Sequence, residues 1–127
     1  MNIFRRILNL RYIIGLVEPI VLENNKEYKA KIDTGADYNS IDENLVKKLP
    51  EKKIVFHKQI KSALGISKRP FIELEFEFAG RKIKDLFSIA NRKEMKYKIL
   101  IGKDLMQREN FLVDPLKEVY RKWVKKN

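Results

Sequence analysis

Tyr28-Lys-Ala-Lys-Ile-Asp-Thr-Gly-Ala36 is the stretch that decides how this chain reads. Ala30 and Ile32 alternate with Lys29 and Lys31, which predicts a strand with one apolar and one wet face. The strand ends on an acid, a small hydroxyl and a glycine: Asp33, Thr34 and Gly35. An acid poised in a tight loop needs its neighbours' N–H groups turned inward, and glycine permits the positive φ or close approach involved. The same residues are also ordinary turn chemistry. By itself the string leaves a plain turn and a poised carboxylate both open.

Working outward, Leu16 to Glu23 predicts a strand, Asn24-Asn25 a hairpin turn, and Lys26 to Ile32 the return strand. Ser40-Ile-Asp-Glu43 has the Ser-x-x-Glu form of a capping box. It predicts a short helix ending before Pro50 with Leu45, Val46 and Leu49 inward. Lys53 to Ile60 predicts another strand and Ser62 to Ser67 a hairpin tip. Phe71 to Phe78 alternates cleanly, with Ile72, Leu74, Phe76 and Phe78 on one side and Glu73, Glu75 and Glu77 on the other. That glutamate row reads as a solvated face rather than a metal site. Ala79-Gly80 turns the chain into a strand from Lys82 to Ala90. Asp114-Pro115 predicts an N-cap with proline at N1, opening a basic helix or tail with Leu116, Val119, Tyr120 and Trp123 on one stripe. Short strands separated by regular turns predict an all-β closed or nearly closed barrel with one or two short helices. Residues 1–127 read as one domain, with 1–12 as an N-terminal extension and 115–127 as the C-terminal helix or tail.

A second segment bears on Asp33. Lys98-Ile-Leu-Ile-Gly-Lys-Asp-Leu-Met106 is an apolar strand running into glycine and then a basic–acidic pair. With Asp33-Thr-Gly-Ala36 it resembles the retropepsin-like aspartic peptidases. More narrowly, the chain is similar to the small bacterial and archaeal branch labelled ATP-dependent zinc protease. Ile14-Gly-Leu-Val-Glu18, Lys29 to Ala36, Lys68-Arg-Pro-Phe-Ile-Glu73, and Met95 through Asp114 carry that likeness. The resemblance implies the same barrel, and it covers roughly residues 13–115.

Composition limits the partners and cofactors. A net charge of +11 with pI near 9.8 favours an acidic partner: an acidic peptide, nucleic acid or an anionic surface. There is no cysteine, so no disulfide or thiolate metal site is available, which suits a cytoplasmic protein. His57 is the single imidazole and lies in an alternating run, as a half-exposed strand residue rather than a ligand. Neither metal nor cofactor is expected, and a metallopeptidase lacks ligands. Ile3, Ile7, Leu10 and Ile14 could form an apolar stripe, packed on the barrel or a partner subunit rather than on a membrane.

Hydrolysis by aspartate needs two carboxyl groups sharing a proton. The chain offers one Asp-Thr-Gly, and Asp37 lies too near in sequence to be its twin, so this chemistry requires a homodimer with Asp33 contributed by each copy. Thr34 would offer its hydroxyl across the axis, Gly35 would allow close approach, and Ala36 would leave room. The resemblance implies that Asp37 pairs with Lys103 as a brace, lysine replacing the family's usual arginine and losing its fork. It also maps the tip with Ser62, Leu64 and Gly65 onto the flap that closes over substrate. The branch includes peptidases that trim glutamate tails, so Lys61, Lys68 and Arg69 are candidates for reading an acidic peptide. These residues also read as solvated charges and hairpin packing. A second class of function stays open: an inactive basic barrel that binds an acidic protein or RNA. For RNA the aromatic residues are unfavourable, because Phe56, Phe71, Phe76, Phe78 and Phe87 take core-like strand positions and leave no stacking platform.

Overall fold

The computed structural model describes residues 13–63 and 65–119. Along them run β1 (Ile13–Ile14), β2 (Val17–Val21), β3 (Glu27–Ile32), β4 (Asn39–Asp42), α1 (Glu43–Val46), β5 (Phe56–Ser62), β6 (Gly65–Phe78), β7 (Arg81–Ala90), β8 (Ile99–Ile101), α2 (Lys103–Arg108) and β9 (Leu112–Val113). Local turn chemistry makes the hairpins. Asn25 turns β2 into β3 at φ 60°, and Ala79 and Gly80 turn β6 into β7 at φ 52° and 71°. Consecutive positive φ values suit the right-handed twist of the flanking strands.

A seven-stranded sheet has the order β2-β3-β8-β4-β7-β6-β5. β2 also pairs with β6, through Ile20↔Phe78 and Val21↔Glu77, so the sheet curls back onto its own first strand. β1 and β9 form a separate parallel pair. The concave interior is filled by the alternating residues of β6 together with residues of β4, β7 and β8: Leu74, Phe76, Phe78, Phe87, Ile41 and Ile99 are all buried. Phe76 and Phe87 meet edge to face at 5.3 Å. Outside, Glu75 and Glu77 lie across from Lys84 and Lys82, and Lys84 reaches Glu73 at 3.5 Å. The glutamate row is thus a solvated face matched to lysines on the next strand.

Three local expectations change. Ser40 does not cap a helix. Residues 39–42 are drawn into the sheet because β4 pairs with both β7 and β8 and buries Ile41. The cap moves to Asp42, whose Oδ2 accepts from the Asn44 N–H at 3.1 Å, and Leu45 and Leu49 still point inward. β5 starts at Phe56 rather than Lys53, and Phe56 is 39% exposed rather than core. It stacks on Phe71 at 4.8 Å at the root of the β5–β6 hairpin, which projects from the body. At the C-terminal end, Asp114 Oδ1 accepts the Leu116 N–H at 2.9 Å, as an N-cap does. Tyr120 and Trp123, like Ile3, Ile7 and Leu10, lie outside the described residues, while Ile14 is buried in β1. No helix among the described residues is long and apolar enough to cross a membrane.

Candidate active site

Asp33 leaves β3 with its backbone still tied to the sheet, its N–H donating to Ile101 O at 3.0 Å. The loop then closes on the acid. The Ala36 N–H donates to Asp33 O at 3.2 Å and the Gly35 N–H to Asp33 Oδ1 at 2.9 Å. A Cβ on Gly35 would lie 3.2 Å from that oxygen, so the close backbone grip favours glycine. The carboxylate is half-buried, with Thr34 exposed beside it.

The start of α2 holds the loop from behind. The Lys103 N–H donates to Ala36 O at 2.7 Å and the Asp104 N–H to Asp37 O at 3.1 Å. Lys103 Nζ sits 2.9 Å from Asp37 Oδ1, and this hydrogen bond and charge raise the lysine pKa above its ordinary value. Gly102 makes the approach possible, since a Cβ there would come within 2.6 Å of Tyr38 O. Its N–H donates to Asn39 Oδ1 at 3.0 Å. Asn39 Nδ2 in turn donates to Asp85 Oδ2 at 2.8 Å and to Leu86 O at 3.0 Å. One buried amide at the start of β4, just past the Asp33 loop, therefore ties that strand to the N-cap of α2 and to β7.

In front of the loop lies a cleft of about 490 Å³. Asp33, Gly35, Ala36 and Asp37 form one side, and Lys61, Ser62 and Arg69 of the β5–β6 hairpin also line it. Its floor is a row in register across four strands: Lys31, Leu100, Ser40 and Ser88. The hairpin is anchored over the cleft by Lys58, whose ammonium donates to the Tyr38 hydroxyl and whose pKa is raised mainly by that bond. Ser62 Oγ accepts from Arg69 Nη2 at 2.9 Å. Gly65 begins the return strand at φ 102°, a conformation that suits glycine, and Leu64 lies outside the described residues.

The structure thus brings Asp33, Gly35, Ala36, Asp37, Lys61, Ser62 and Arg69 to one cavity; Lys103 pairs with Asp37 from α2, and Thr34, exposed on the same loop, is not among the lining residues. Lys68 instead lines a neighbouring depression with Pro70, Ile89 and Lys93. His57 is exposed on β5. No cluster of His, Cys, Asp and Glu able to hold a metal occurs among the described residues. Two participants carry no sequence signal. Asn39 and Arg92 sit in unremarkable strings, and only the packing of β4 against β7 and β8 buries them.

Comparison with known proteins bears on the fold and on the family. A Legionella pneumophila protein of unknown function superposes with a TM-score of 0.57 at 23% identity, over 81% of this chain and 92% of that one. The EIAV protease, in complex with the inhibitor HBY-793, superposes with a TM-score of 0.63 at 17% identity, over 77% of this chain and 90% of that one. These likenesses concern the fold. No curated protein sequence matches the chain. The profile of the RimB-like family, described as retropepsin-like aspartic endopeptidase RimB, matches residues 42–123. That span starts after the Asp33 loop and takes in the hairpin, the cleft floor and the Gly102 turn. By this match over more than half its length, the chain belongs to the RimB-like family of retropepsin-like aspartic endopeptidases.

Proposed function

We propose that the protein is an aspartic endopeptidase active as a two-fold homodimer, its sheet closed as a barrel and its β5–β6 hairpin serving as the flap. The observation that carries this reading is the Asp33 carboxylate, held by the Gly35 N–H at the cleft while the other acid lining the cavity, Asp37, is engaged by Lys103. Asp33 has no second free acid among the described residues of the cleft, and a second copy would supply it. Two such carboxyl groups about 3 Å apart share one proton. The ionised one takes a proton from water as its oxygen attacks the peptide carbonyl carbon. The neutral one donates its proton to the carbonyl oxygen, giving a tetrahedral gem-diol. Collapse breaks the C–N bond, a proton passes to the leaving amine, and the acids regain their shared proton.

The remaining residues support this chemistry. Thr34 is exposed on the loop, and in this reading its hydroxyl hydrogen-bonds to the second copy. The Asp37–Lys103 pair and the Asn39 knot keep the loop rigid, so little reorganisation is needed at the moment of reaction. A net charge of +11 and the exposed Lys58 and Lys61 favour encounter with acidic peptides. The narrower kinship with the small bacterial and archaeal branch belongs to this reading too.

The test is hydrolysis of acidic and neutral peptides by purified protein, with sedimentation in parallel. Cleavage blocked by pepstatin, abolished in a folded Asp33→Asn variant, and accompanied by a dimer is the expected result. A protein that stays monomeric at assay concentration, or cleavage that survives the substitution, would overturn the proposal.

A further inference from the structure

Residues 91–98 join β7 to β8 and supply Arg92 and Met95 to the wall of the Asp33 cleft. Met95 also lines the neighbouring depression, so this loop is part of the partition between the two cavities. It contains no strand or helix of its own. A loop that shapes a cleft must still hold its backbone in one place, and its carbonyls need donors.

Lys98 supplies those donors. Its Nζ donates to Arg92 O at 2.9 Å, to Lys93 O at 2.7 Å and to Met95 O at 2.9 Å. A lysine ammonium has three N–H donors, and all of them are used. The Met95 N–H donates to Arg92 O at 3.0 Å, which folds the chain into a turn whose carbonyls converge on Lys98. The ends of the loop are clamped separately. Asp42 Oδ1 accepts the Arg92 N–H at 2.7 Å, Lys98 O accepts the Asp42 N–H at 2.9 Å, and Arg92 Nε donates to Tyr97 O at 3.0 Å. The Lys98 side chain is half-buried and lines neither cavity.

Lysine usually keeps its ammonium in water and lays only its stem on the protein. Here three backbone oxygens stand in for that water, as carbonyls do around a bound monovalent cation. Carbonyl dipoles aimed at one point repel one another, and a positive charge among them turns the repulsion into attraction. Without the ammonium the Arg92, Lys93 and Met95 carbonyls have nothing to converge on, and the turn that carries Met95 loosens. The Asp33 loop does not share this dependence, because it is held by the N–H groups of Gly35, Lys103 and Asp104.

We propose that Lys98 is a positioning residue for the peptidase: its ammonium is a resident cation in a cage of three carbonyls and sets where the Arg92–Met95 wall of the cleft stands. The effect on cleavage rests on the peptidase reading, whereas the cage itself does not. Loss of the cation moves the wall and leaves the acid loop in place, so the defect falls on holding the substrate rather than on the chemical step.

The experiment follows hydrolysis of the acidic and neutral peptides together with the NMR signal of the Met95 methyl group, in wild type, Lys98→Ala and Lys98→Met. Both substitutions should raise KM about tenfold while kcat changes less than about threefold, the pattern of lost ground-state binding. Ammonium chloride at about 100 mM should bring the Lys98→Ala KM back to within about threefold of wild type, because a free N–H cation can enter the emptied cage. Tetramethylammonium chloride at the same concentration has no N–H donor and should not. Neither salt should rescue Lys98→Met, whose stem fills the space without a charge. The Met95 signal should shift in Lys98→Ala and return with ammonium only. Lys98→Met keeps the packing of the stem and carries the KM comparison where the alanine variant does not fold. An unchanged KM in folded variants, a kcat that falls in step with stability, or equal recovery with the two salts would overturn the positioning role and leave the peptidase reading standing. A wild-type dimer that hydrolyses no peptide would remove the peptidase reading and with it the role of Lys98 in cleavage, while a Met95 signal that still shifts and returns with ammonium would uphold the cage.

Discussion

Replacing Asn39 with alanine tests whether the knot behind the Asp33 loop holds the site together. Asn39 is 3% exposed, and its side chain makes three hydrogen bonds, to Asp85, Leu86 and Gly102. The bond to the Asp85 carboxylate is of the charged kind, for which a loss of about 1.5–3 kcal/mol is typical. The buried Gly102 N–H is left without its acceptor, at a further cost of about 1–3 kcal/mol. Asp85 keeps Arg108 at 3.1 Å, which softens the first loss. A net destabilisation of about 3–4 kcal/mol follows. For a chain of this length that lowers Tm by roughly 4 °C per kcal/mol. Urea unfolding of wild type and variant, with m unchanged, reads the difference directly.

Asn39→Asp sharpens the experiment. The introduced carboxylate can still accept from Gly102 but would face the Asp85 oxygen where a donor stood at 2.8 Å. Like charge raises the folded-state pKa of the carboxyl pair above its unfolded value. The deficit against wild type is therefore small below about pH 4 and grows as pH rises through the raised pKa. A loss under about 1 kcal/mol for Asn39→Ala, or a deficit for Asn39→Asp that does not change with pH, would refute the reasoning.

Two further outcomes follow from packing and burial. Phe76→Ala, at 2% exposure against Phe87, should cost about 3–5 kcal/mol, whereas Phe56→Ala, 39% exposed, should cost under about 1.5 kcal/mol by urea unfolding; comparable losses would contradict the assignment of the core. Glu18 is buried and accepts from the Gly15 N–H at 2.8 Å and from Lys117 Nζ at 2.5 Å. Glu18→Gln should cost about 1–2 kcal/mol, less than a fully buried pair because the Lys117 side chain is 26% exposed. Amide exchange should then speed up first in residues 116–119, and unchanged protection there would count against the pair as the tether of this segment.

Much of the sheet was legible along the chain because its causes are local. The alternation of Phe71 to Phe78 marks a half-buried strand, and Asn24-Asn25 and Ala79-Gly80 permit the backbone angles of tight turns. Ser40 shows where such reading stops. Its capping pattern is a good local solution, yet pairing with two neighbouring strands and burial of Ile41 outweigh one cap. α2 likewise carries no local signature, because the segment after Gly102 is short and its helical turn is fixed by docking on the Asp33 loop.

The amino-acid order alone determined β2, β3, β6 and β7 and the tight turns that join them in pairs, since period and turn chemistry act between residues a few positions apart. Only the tertiary structure decided that Asn39 joins three elements, that Lys68 leaves the cleft while Arg69 enters it, and that Arg92 is buried there. Burial is not a property of a residue type. An arginine's charge is carried in the sequence, but whether water or protein surrounds it depends on strands brought together from distant parts of the chain.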